Sequence, residues 1–569
     1  GGCLSVYQMR RFRWQLLIVL VTGLVVGLIL FFQRSALSPV AETTPNPITG
    51  GSYTEALVGD ILRLNPALDH FNQSDRDIDR LIFSSLLKFD SRGLPVGDLA
   101  ASWDISSDGT RYTINLFENA VWHDGTPLTT QDVLYTVSLL QSESSLVPED
   151  LRAFWQLVHV EALSDLSLEF SLPYSFAPFL DYLTFQVLPS HLLGNLSLDD
   201  LVDHPFNLAP IGSGPYRFRE FHLTDGKIDG VTLESFEYYY AGRPYIDEVN
   251  FKLFPDAHTA LQAYLSNEVD AVARIDENDL ETALNQPGLD IHSSRLPRLT
   301  MVFLNTNNLA QPLLQSSDFR KALMAATNRQ AMIDEVFSSQ AVPALGPIMP
   351  GNWAFYDGLE PYRYDVDLSR QLLAGAGYTW SEAGQLMTAD GAQARLTLLV
   401  QDDPVHNQLA AILAENWTSI GVDVTLDVRP YVDLIANLET RVYEAALVDI
   451  DLSNSPDPDP YPFWAESQAE NGQNYSQWRN TTASEYLEQA RTQPDLDLRV
   501  RLYRNFQILF AEDLPSLPLF YTIYNYGMKN SIKNVSIGPI YDPADRFNSV
   551  NTWYILSNSA PPQAVTPTE

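Results

Sequence analysis

The sequence predicts a mixed α/β (α+β) protein with at least two lobes. The chain has 569 residues, whereas one hydrophobic core rarely grows past about 250–300 residues. Hydrophobic residues make up 45% and charged residues 19% of the chain, a composition typical of globular proteins and not of disordered ones. Helical and strand patterns also follow one another along the chain, as they do in α/β layers.

Local patterns predict the individual elements. Tyr112, Ile114 and Leu116 alternate with polar residues, which predicts a half-buried strand. Thr129 and Asp132 have the T-x-x-D spacing of a capping box and precede an apolar helical face. The sequence therefore predicts a strand and then a helix in this part of the chain.

The same kind of pattern returns in the second half of the chain. Asp367 is predicted to cap a helix that Gly377 ends. A helical apolar face from residue 409 to residue 420 is then followed by Gly421 and by alternating apolar residues over 422–428. A helix that leads through a glycine into a strand is typical of an α/β layer.

The N-terminal 34 residues predict a membrane segment. Arg10, Arg11 and Arg13 precede an uncharged run over residues 14–32, which is close to the roughly 20 apolar residues that span a bilayer. The positive-inside rule then places the rest of the chain outside the cytoplasm. We expect an uncleaved anchor, with a cleaved signal peptide as the alternative, then a flexible tether over 35–52. A disordered tail is predicted over 557–569.

Charge and cysteine content exclude several classes of partner. The formal net charge is −36, which repels nucleic acid, so we predict no nucleic-acid partner. Cys3 is the only cysteine, so neither an intrachain disulfide nor a cysteine-based zinc site can form. The nine histidines have no metal-binding spacing. Because the common catalytic motifs are also absent, we predict no enzyme activity, no metal and no cofactor.

Several short motifs occur in an order that resembles one known family, the family 5 solute-binding proteins, which has oligopeptide-, dipeptide- and nickel-binding members. The clearest are W-H-D-G-T-P-L-T-T-Q-D-V at 122–133 and P-I-G-S-G-P-Y at 210–216. Weaker ones lie at 64–66, 242–249, 267–271, 305–306 with 319–323, and 372–378. The resemblance runs from about residue 53 to residue 553.

This resemblance implies a periplasmic-binding-protein-like fold of two lobes and a hinge. Lobe I would comprise residues 53–85, 211–296 and 523–556, with an extra subdomain over 86–210, and lobe II residues 297–522. Solute would bind in the cleft, and the loaded monomer would dock on the permease subunits of an ABC importer. A short peptide is the favoured solute. An oligosaccharide, chelated nickel, or a tethered sensor without a permease stay open as alternatives.

Residue type and the resemblance together indicate candidate cleft residues. The glycines of a G-S-G-P-Y loop allow close approach of a ligand to the backbone, and the tyrosine offers a flat surface. The same loop could instead only join the subdomain to lobe I. The candidates outside the acidic region discussed next are Gly212, Ser213, Gly214, Tyr216, Asn305, Thr306 and Tyr524.

The acidic region from Asp449 to Asp459 supplies the remaining candidates. In peptide-binding relatives, this region has an aspartate that binds the ligand's ammonium group, with a tryptophan three residues before it. Counting back from Pro458, the matching position is Asn454, and the tryptophan is missing. Either Asp449 or Asp451 takes this role, or the ammonium contact is absent.

Overall fold

The computed structural model describes residue 47, residues 49–453 and residues 456–556. The described residues from 49 onward belong to one compact unit. The predicted membrane segment 14–32, most of the tether and the tail 557–569 lie outside the described residues. Among the described residues, no helix combines the length and apolar character needed to cross a membrane.

The strands are numbered in chain order. They are β1 Ser52–Val58, β2 Leu87–Phe89, β3 Pro95–Gly97, β4 Ala100–Ile105, β5 Arg111–Leu116, β6 His159–Ala162, β7 Ser167–Ser171, β8 Tyr216–Thr224, β9 Lys227–Ser235, β10 Glu248–Phe254, β11 Ala271–Val272, β12 Leu289–Leu304, β13 Ala341–Pro343, β14 Thr379–Trp380, β15 Leu386–Met387, β16 Arg395–Gln401, β17 Asp423–Arg429, β18 Ala445–Asp451, β19 Ser516–Lys529, β20 Ile532–Lys533 and β21 Tyr554–Ile555.

The α-helices lie between these strands. They are Gln73–Ile82, Thr130–Leu140, Glu149–Trp155, Ser190–Leu193, Leu198–Leu201, Ala257–Leu265, Leu280–Leu284, Ser317–Ala325, Arg329–Phe337, Val366–Gly375, Pro404–Ser419, Tyr431–Glu439, Tyr461–Trp464, Thr481–Thr492 and Leu496–Asp513. Short 3-10 helices occur at Ala177–Thr184, Pro205–Leu208, Glu277–Asp279, Pro312–Gln315, Glu466–Gln468, Pro543–Phe547 and Val550–Thr552.

A large mixed sheet is built around two long antiparallel strands, β12 and β19. Its order is β17-β16-β18-β12-β19-β11-β1-β10-β9-β8, and β13 also pairs with β19. The β12–β19 pairing extends from Leu289 opposite Lys529 to Phe303 opposite Ser516, with a register shift between Arg295 and Leu299. Such irregularities bend a strand and increase its twist. The predicted lobe boundaries at 296/297 and 522/523 fall inside these two strands and stay predictions.

Separate hydrophobic clusters form on the two sides of this strand pair. Tyr53 and Trp553 belong to a cluster built mainly from β1, β9, β10 and the C-terminal segment. On the other side, successive residues of β12 enter different clusters. Val302 packs with the helix Pro404–Ser419, whereas Met301 packs with the helix Leu496–Asp513. Successive side chains of a strand point to opposite faces of the sheet. Both faces of β12 are therefore covered by a hydrophobic cluster.

A second, smaller sheet lies inside the range predicted as the extra subdomain. It is antiparallel, in the order β4-β5-β7-β6. Its hydrophobic cluster contains the buried Trp122, Trp155, Phe170 and Phe179. Aromatic contacts such as Tyr112 on Phe179, with ring centroids 4.7 Å apart, fix its packing. This part of the chain therefore has a core of its own.

Most locally predicted elements are confirmed. In β5, buried positions alternate along the strand, and the capping box of Thr129 and Asp132 begins the helix Thr130–Leu140. The predicted cap at Asp367 is wrong. Asp365 has the extended backbone of a cap, and its carboxylate accepts the N–H of Leu368, so the helix begins at residue 366.

The start of the folded region also differs from the prediction. The tether was expected to reach residue 52, but Ser52 is the first residue of β1. The N–H of Gly50 donates to the carbonyl oxygen of Tyr245 at 2.7 Å. The last residues of the predicted tether are therefore hydrogen-bonded to the folded unit.

Candidate functional site

A cavity of about 450 Å³ lies beside the middle of the two long strands. Its floor is formed by residues 293–295 of β12 and by Ile523 of β19. Ser91 and residues 536–539 line it from the ranges predicted as lobe I and its subdomain, and Val342 and residues 349–351 line it from the range predicted as lobe II. Binding pockets for small molecules commonly measure about 300–1,000 Å³. The cavity is therefore large enough for a small solute and is lined by residues from both sides of the two long strands.

Arg295 is the only charged side chain among the described residues that line this cavity. Its Nη1 makes a long hydrogen bond of 3.5 Å to the carbonyl oxygen of Pro350. Its Nε is buried and has no hydrogen-bond partner in the described part of the chain. The cavity therefore presents an incompletely satisfied cation.

Direct hydrogen bonds cross the cleft next to the cavity. The N–H of Trp353 donates to the carbonyl oxygen of Arg92 at 3.1 Å. The side-chain amide of Asn352 donates to the Tyr541 hydroxyl at 3.0 Å and to the carbonyl oxygen of Pro456 at 2.5 Å. Arg92 and Tyr541 belong to the ranges predicted as lobe I and its subdomain, so the bonds to these two residues join them to the range predicted as lobe II.

A second set of contacts joins the range predicted as the subdomain to the range predicted as lobe II. The N–H of Asp457 donates to the carboxylate of Asp181 at 2.6 Å, and the Ser175 hydroxyl donates to the carbonyl oxygen of Thr492 at 2.6 Å. The guanidinium group of Arg491 lies 5.2 Å from the ring centroid of Phe176. These contacts join residues 175–181 of the small-sheet region to residues 457–492.

Ion pairs support the lobe II side of these contacts. Arg499 pairs with Asp457 at 2.6 Å, and only 6% and 5% of the two side chains are exposed. Arg491 pairs with Asp459 at 3.0 Å. Burial raises the pKa of Asp459 to about 6, although Arg491 opposes this shift. These pairs fix the segment that carries the Asp457 N–H.

The predicted aspartates lie on lobe II and outside the cavity lining. Asp449 accepts a hydrogen bond from the Thr300 hydroxyl at 2.6 Å, and His406 Nε2 lies 3.6 Å from its carboxylate. Burial acts to raise the pKa of Asp449, but His406 and Thr300 outweigh this effect and hold the pKa below its usual value. Asp451 is exposed and pairs in register with Arg298. Asn454 lies outside the described residues.

The structure gives the loop 212–216 extensive packing contacts inside lobe I. A Cβ at Gly212 would lie 1.9 Å from the carbonyl oxygen of Ile82, so only glycine fits there. Tyr216 is fully buried, and its hydroxyl donates to the carbonyl oxygen of Ile246. Ser213 is also buried, and its hydroxyl has no partner among the described residues. A Cβ at Gly214 would lie 2.4 Å from the carbonyl oxygen of Leu81.

His123 joins the two clearest sequence motifs. Its Nδ1 accepts the N–H of Gly212 at 3.2 Å, and its Nε2 lies 3.1 Å from the carbonyl oxygen of Gly214. This pattern requires a neutral imidazole with the proton on Nε2. Burial lowers the pKa of His123 to about 4, in agreement with that requirement.

We expect His123 to make stability depend on pH between about 6.5 and 4. Because the folded-state pKa is below the usual 6.5, the unfolded chain binds a proton first as the pH falls. The contribution is complete above pH 6.5 and is lost progressively toward pH 4, by about 3 kcal/mol in total. Urea unfolding at several pH values measures it.

A His123→Gln variant tests this assignment. It should be less stable at neutral pH and should lose the component that depends on pH, while His159→Gln, at an exposed histidine, should behave like the unchanged protein. Equal pH slopes for His123→Gln and the unchanged protein would exclude His123 as the source.

The side chains of the three other candidates, Asn305, Thr306 and Tyr524, donate hydrogen bonds to backbone carbonyl oxygens. The Asn305 amide donates to the carbonyl oxygens of Arg441 and Tyr443, and the Thr306 hydroxyl donates to that of Ser476. The Tyr524 hydroxyl donates to the carbonyl oxygen of Ala273. None of the predicted site residues that the structure describes lines the cavity, although Tyr524 directly follows Ile523. Their roles as ligand contacts stay predictions.

The sequence analysis missed the residues that define the cavity and the cross-cleft contacts. Arg295 stands in a strand without a distinctive motif, and Asn352 has no signal beyond its residue type. The P-D-P-D run around Asp457 has no local signal that relates it to Asp181. These residues become related only through long-range pairing of the chain.

A cavity beside two long paired strands, lined by residues from both sides of the pair, is an arrangement that suits a binding protein with a hinge. The family model described as "Bacterial extracellular solute-binding proteins, family 5 Middle" matches residues 95–473, more than half of the chain. The chain therefore belongs to this family of extracellular binding proteins.

Curated proteins and solved structures support the same relationship. The oligopeptide-binding protein AppA of Bacillus subtilis is 25% identical over 529 residues, which cover 92% of this chain and 95% of AppA. The dipeptide-binding protein of Escherichia coli is 22% identical over 461 residues, covering 78% and 84%.

Two solved structures illustrate what relatives bind. AppA in complex with a nonapeptide has a TM-score of 0.63 at 25% identity, covering 90% of this chain and all of that one. NikZ of Campylobacter jejuni in complex with Ni(L-His) has the same TM-score and identity, covering 88% and 99%. The mixed α/β fold of periplasmic binding proteins is thus shown.

Proposed function

We propose that this protein captures a short peptide in the cleft between its lobes and delivers it to the permease subunits of an ABC importer. The observation that carries the proposal is the cavity of about 450 Å³ at the hinge strands, lined from both sides. The names of the relatives AppA and the dipeptide-binding protein favour a peptide as the solute. The protein acts as a binder and carries out no chemical step.

Hinge closure explains how capture would work. A solute that contacts both lobes binds the closed state more tightly than the open state and shifts the population toward it. The hydrogen bonds from Trp353 to Arg92 and from Asp457 to Asp181 support this proposal, since they join ranges assigned to different lobes and would help to hold a closed state. The closed form then presents both lobes to the permease in one fixed arrangement.

The proposal includes a location and a tether. The segment 14–32 anchors the chain in the membrane, with the lobes on the extracytoplasmic side and the protein acting as a monomer. The lobe ranges 53–85, 211–296 and 523–556 against 297–522 belong to the same proposal. Asp449 or Asp451 contacts the ammonium group of the peptide.

A thermal-shift screen tests the solute class. Residues 45–569 would be unfolded and refolded to remove carried-over ligand, then screened against peptides of two to eight residues, oligosaccharides and Ni(L-His). A ligand at 100 times its dissociation constant stabilises the protein by about 2.7 kcal/mol, so a clear rise in Tm is expected with peptides.

The other outcomes separate the alternatives. A rise in Tm with oligosaccharides or Ni(L-His) alone would support solute binding and would reject a peptide as the solute. Nickel is a specific alternative because NikZ was solved with Ni(L-His). A sensor without a permease would bind solute but leave uptake unchanged when its gene is deleted.

A further inference from the structure

Arg295 occupies a special position on the hinge. It is the last residue of β12 before the register shift against β19, so it lies where the two sides of the sheet meet. Its guanidinium group lines the cavity together with backbone from both sides. A group bound to Arg295 would therefore contact both lobes at once.

The described residues provide this cation with no counter-ion. The sequence has 71 acidic residues against 35 basic ones, yet no ion pair within 4.0 Å forms at Arg295 among the described residues. Its buried Nε lacks a hydrogen-bond partner in the same part of the chain. A buried N–H without a partner costs free energy, and an anionic ligand group would remove that cost.

The space in front of the guanidinium group is kept open by glycine. A Cβ at Gly351 would lie 3.8 Å from Arg295 Nη1, and Gly351 has a φ of +91° that disfavours other residues. On the opposite wall, a Cβ at Gly538 would lie 3.4 Å from Ser91. Side chains larger than hydrogen at these positions would therefore contact Arg295 and Ser91, two residues of the cavity lining.

We propose that Arg295 recognises a carboxylate of the solute, and specifically the C-terminal carboxylate of the bound peptide. This inference rests on the proposed function and names which end of the peptide lies at the hinge. A planar guanidinium fork can donate two parallel hydrogen bonds to a carboxylate. The uncharged remainder of the lining gives no other group that would select an anion.

The position of this contact links ligand charge to closure. The carboxylate would lie between the wall of residues 349–351 and the wall of residues 536–539. Because Arg295 is on a hinge strand, its hydrogen bonds to the ligand form fully only when both walls are in place. A ligand without the carboxylate would bind and would favour the closed state less.

Isothermal titration calorimetry on the 569-residue chain in detergent tests the proposal. One peptide is used as the free acid and as the C-terminal amide, on the unchanged protein and on Arg295→Met and Arg295→Lys. The free acid should bind the unchanged protein about 10- to 100-fold more tightly than it binds Arg295→Met. The amide should bind both equally, and Arg295→Lys should recover part of the affinity.

A matched control is Arg274→Met. Arg274 is exposed and pairs with Asp276 at 2.7 Å on the surface, so its loss should leave both affinities unchanged. The Tm of each variant without ligand checks folding. Arg295 makes only one long internal hydrogen bond, so Arg295→Met should keep its Tm.

The outcomes separate this inference from the proposed function. If acid and amide bind equally and Arg295→Met changes neither, the carboxylate assignment is wrong while peptide binding stands. If peptides fail and small non-peptide carboxylates bind only when Arg295 is present, carboxylate recognition is supported and the peptide is rejected. If no carboxylate compound binds, both are rejected.

Discussion

Replacing Arg546 by methionine is expected to lower the free energy of unfolding by about 3–5 kcal/mol. Arg546 is fully buried, and its Nη2 donates to Glu55 at 2.6 Å and to Asp77 at 2.8 Å. Its guanidinium carbon also lies 5.6 Å from the Tyr526 ring centroid. Without the cation, two buried carboxylates lose their counter-charge, and urea unfolding followed by circular dichroism would measure the loss.

Two further variants show whether the effect comes from buried charge. Arg219→Met removes an exposed pair with Glu248, whose side chains are 49% and 33% exposed, and should cost about 1 kcal/mol or less. Adding Glu55→Gln to Arg546→Met removes one of the two buried carboxylates that have lost their counter-ion. The double variant should therefore recover part of the free energy of unfolding. If Arg546→Met costs no more than Arg219→Met, the buried cluster contributes little.

This cluster shows why the sequence predicts elements better than cores. The capping box of Thr129 and Asp132 is a contact over three residues, and its spacing is visible in the chain. Arg546 and Glu55 are separated by 491 positions, and no local pattern relates them. The helix cap at Asp365 was missed for a smaller reason, since two aspartates two residues apart both suit a cap.

The candidate site also shows a limit of prediction from local sequence patterns. The motif residues Gly212 and Gly214 could be chosen from the sequence, and glycine is indeed required at Gly212. The reason found in the structure is the approach to Ile82 and the hydrogen bonds to His123. Residue type thus indicates a close approach of backbone, but it does not say whether a ligand or another segment approaches.

Arg499→Met is expected to destabilise lobe II by about 3–5 kcal/mol and to weaken closure of the cleft. Its loss strands the buried Asp457 and removes the guanidinium group that lies 5.0 Å from the Trp353 ring centroid. Asp457 and Trp353 each donate a backbone N–H across the cleft. We therefore expect a larger radius of gyration by small-angle X-ray scattering and weaker binding of solute.

Arg504→Met is the matched control, because Arg504 lies on the same helix and is exposed. It should leave the unfolding free energy, the radius of gyration and solute affinity unchanged. A variant Arg499→Met that is destabilised but keeps its compactness and affinity would show that the contacts across the cleft do not depend on Arg499. An expanded variant would instead show that Arg499 stabilises closure through the two residues it positions, Asp457 and Trp353.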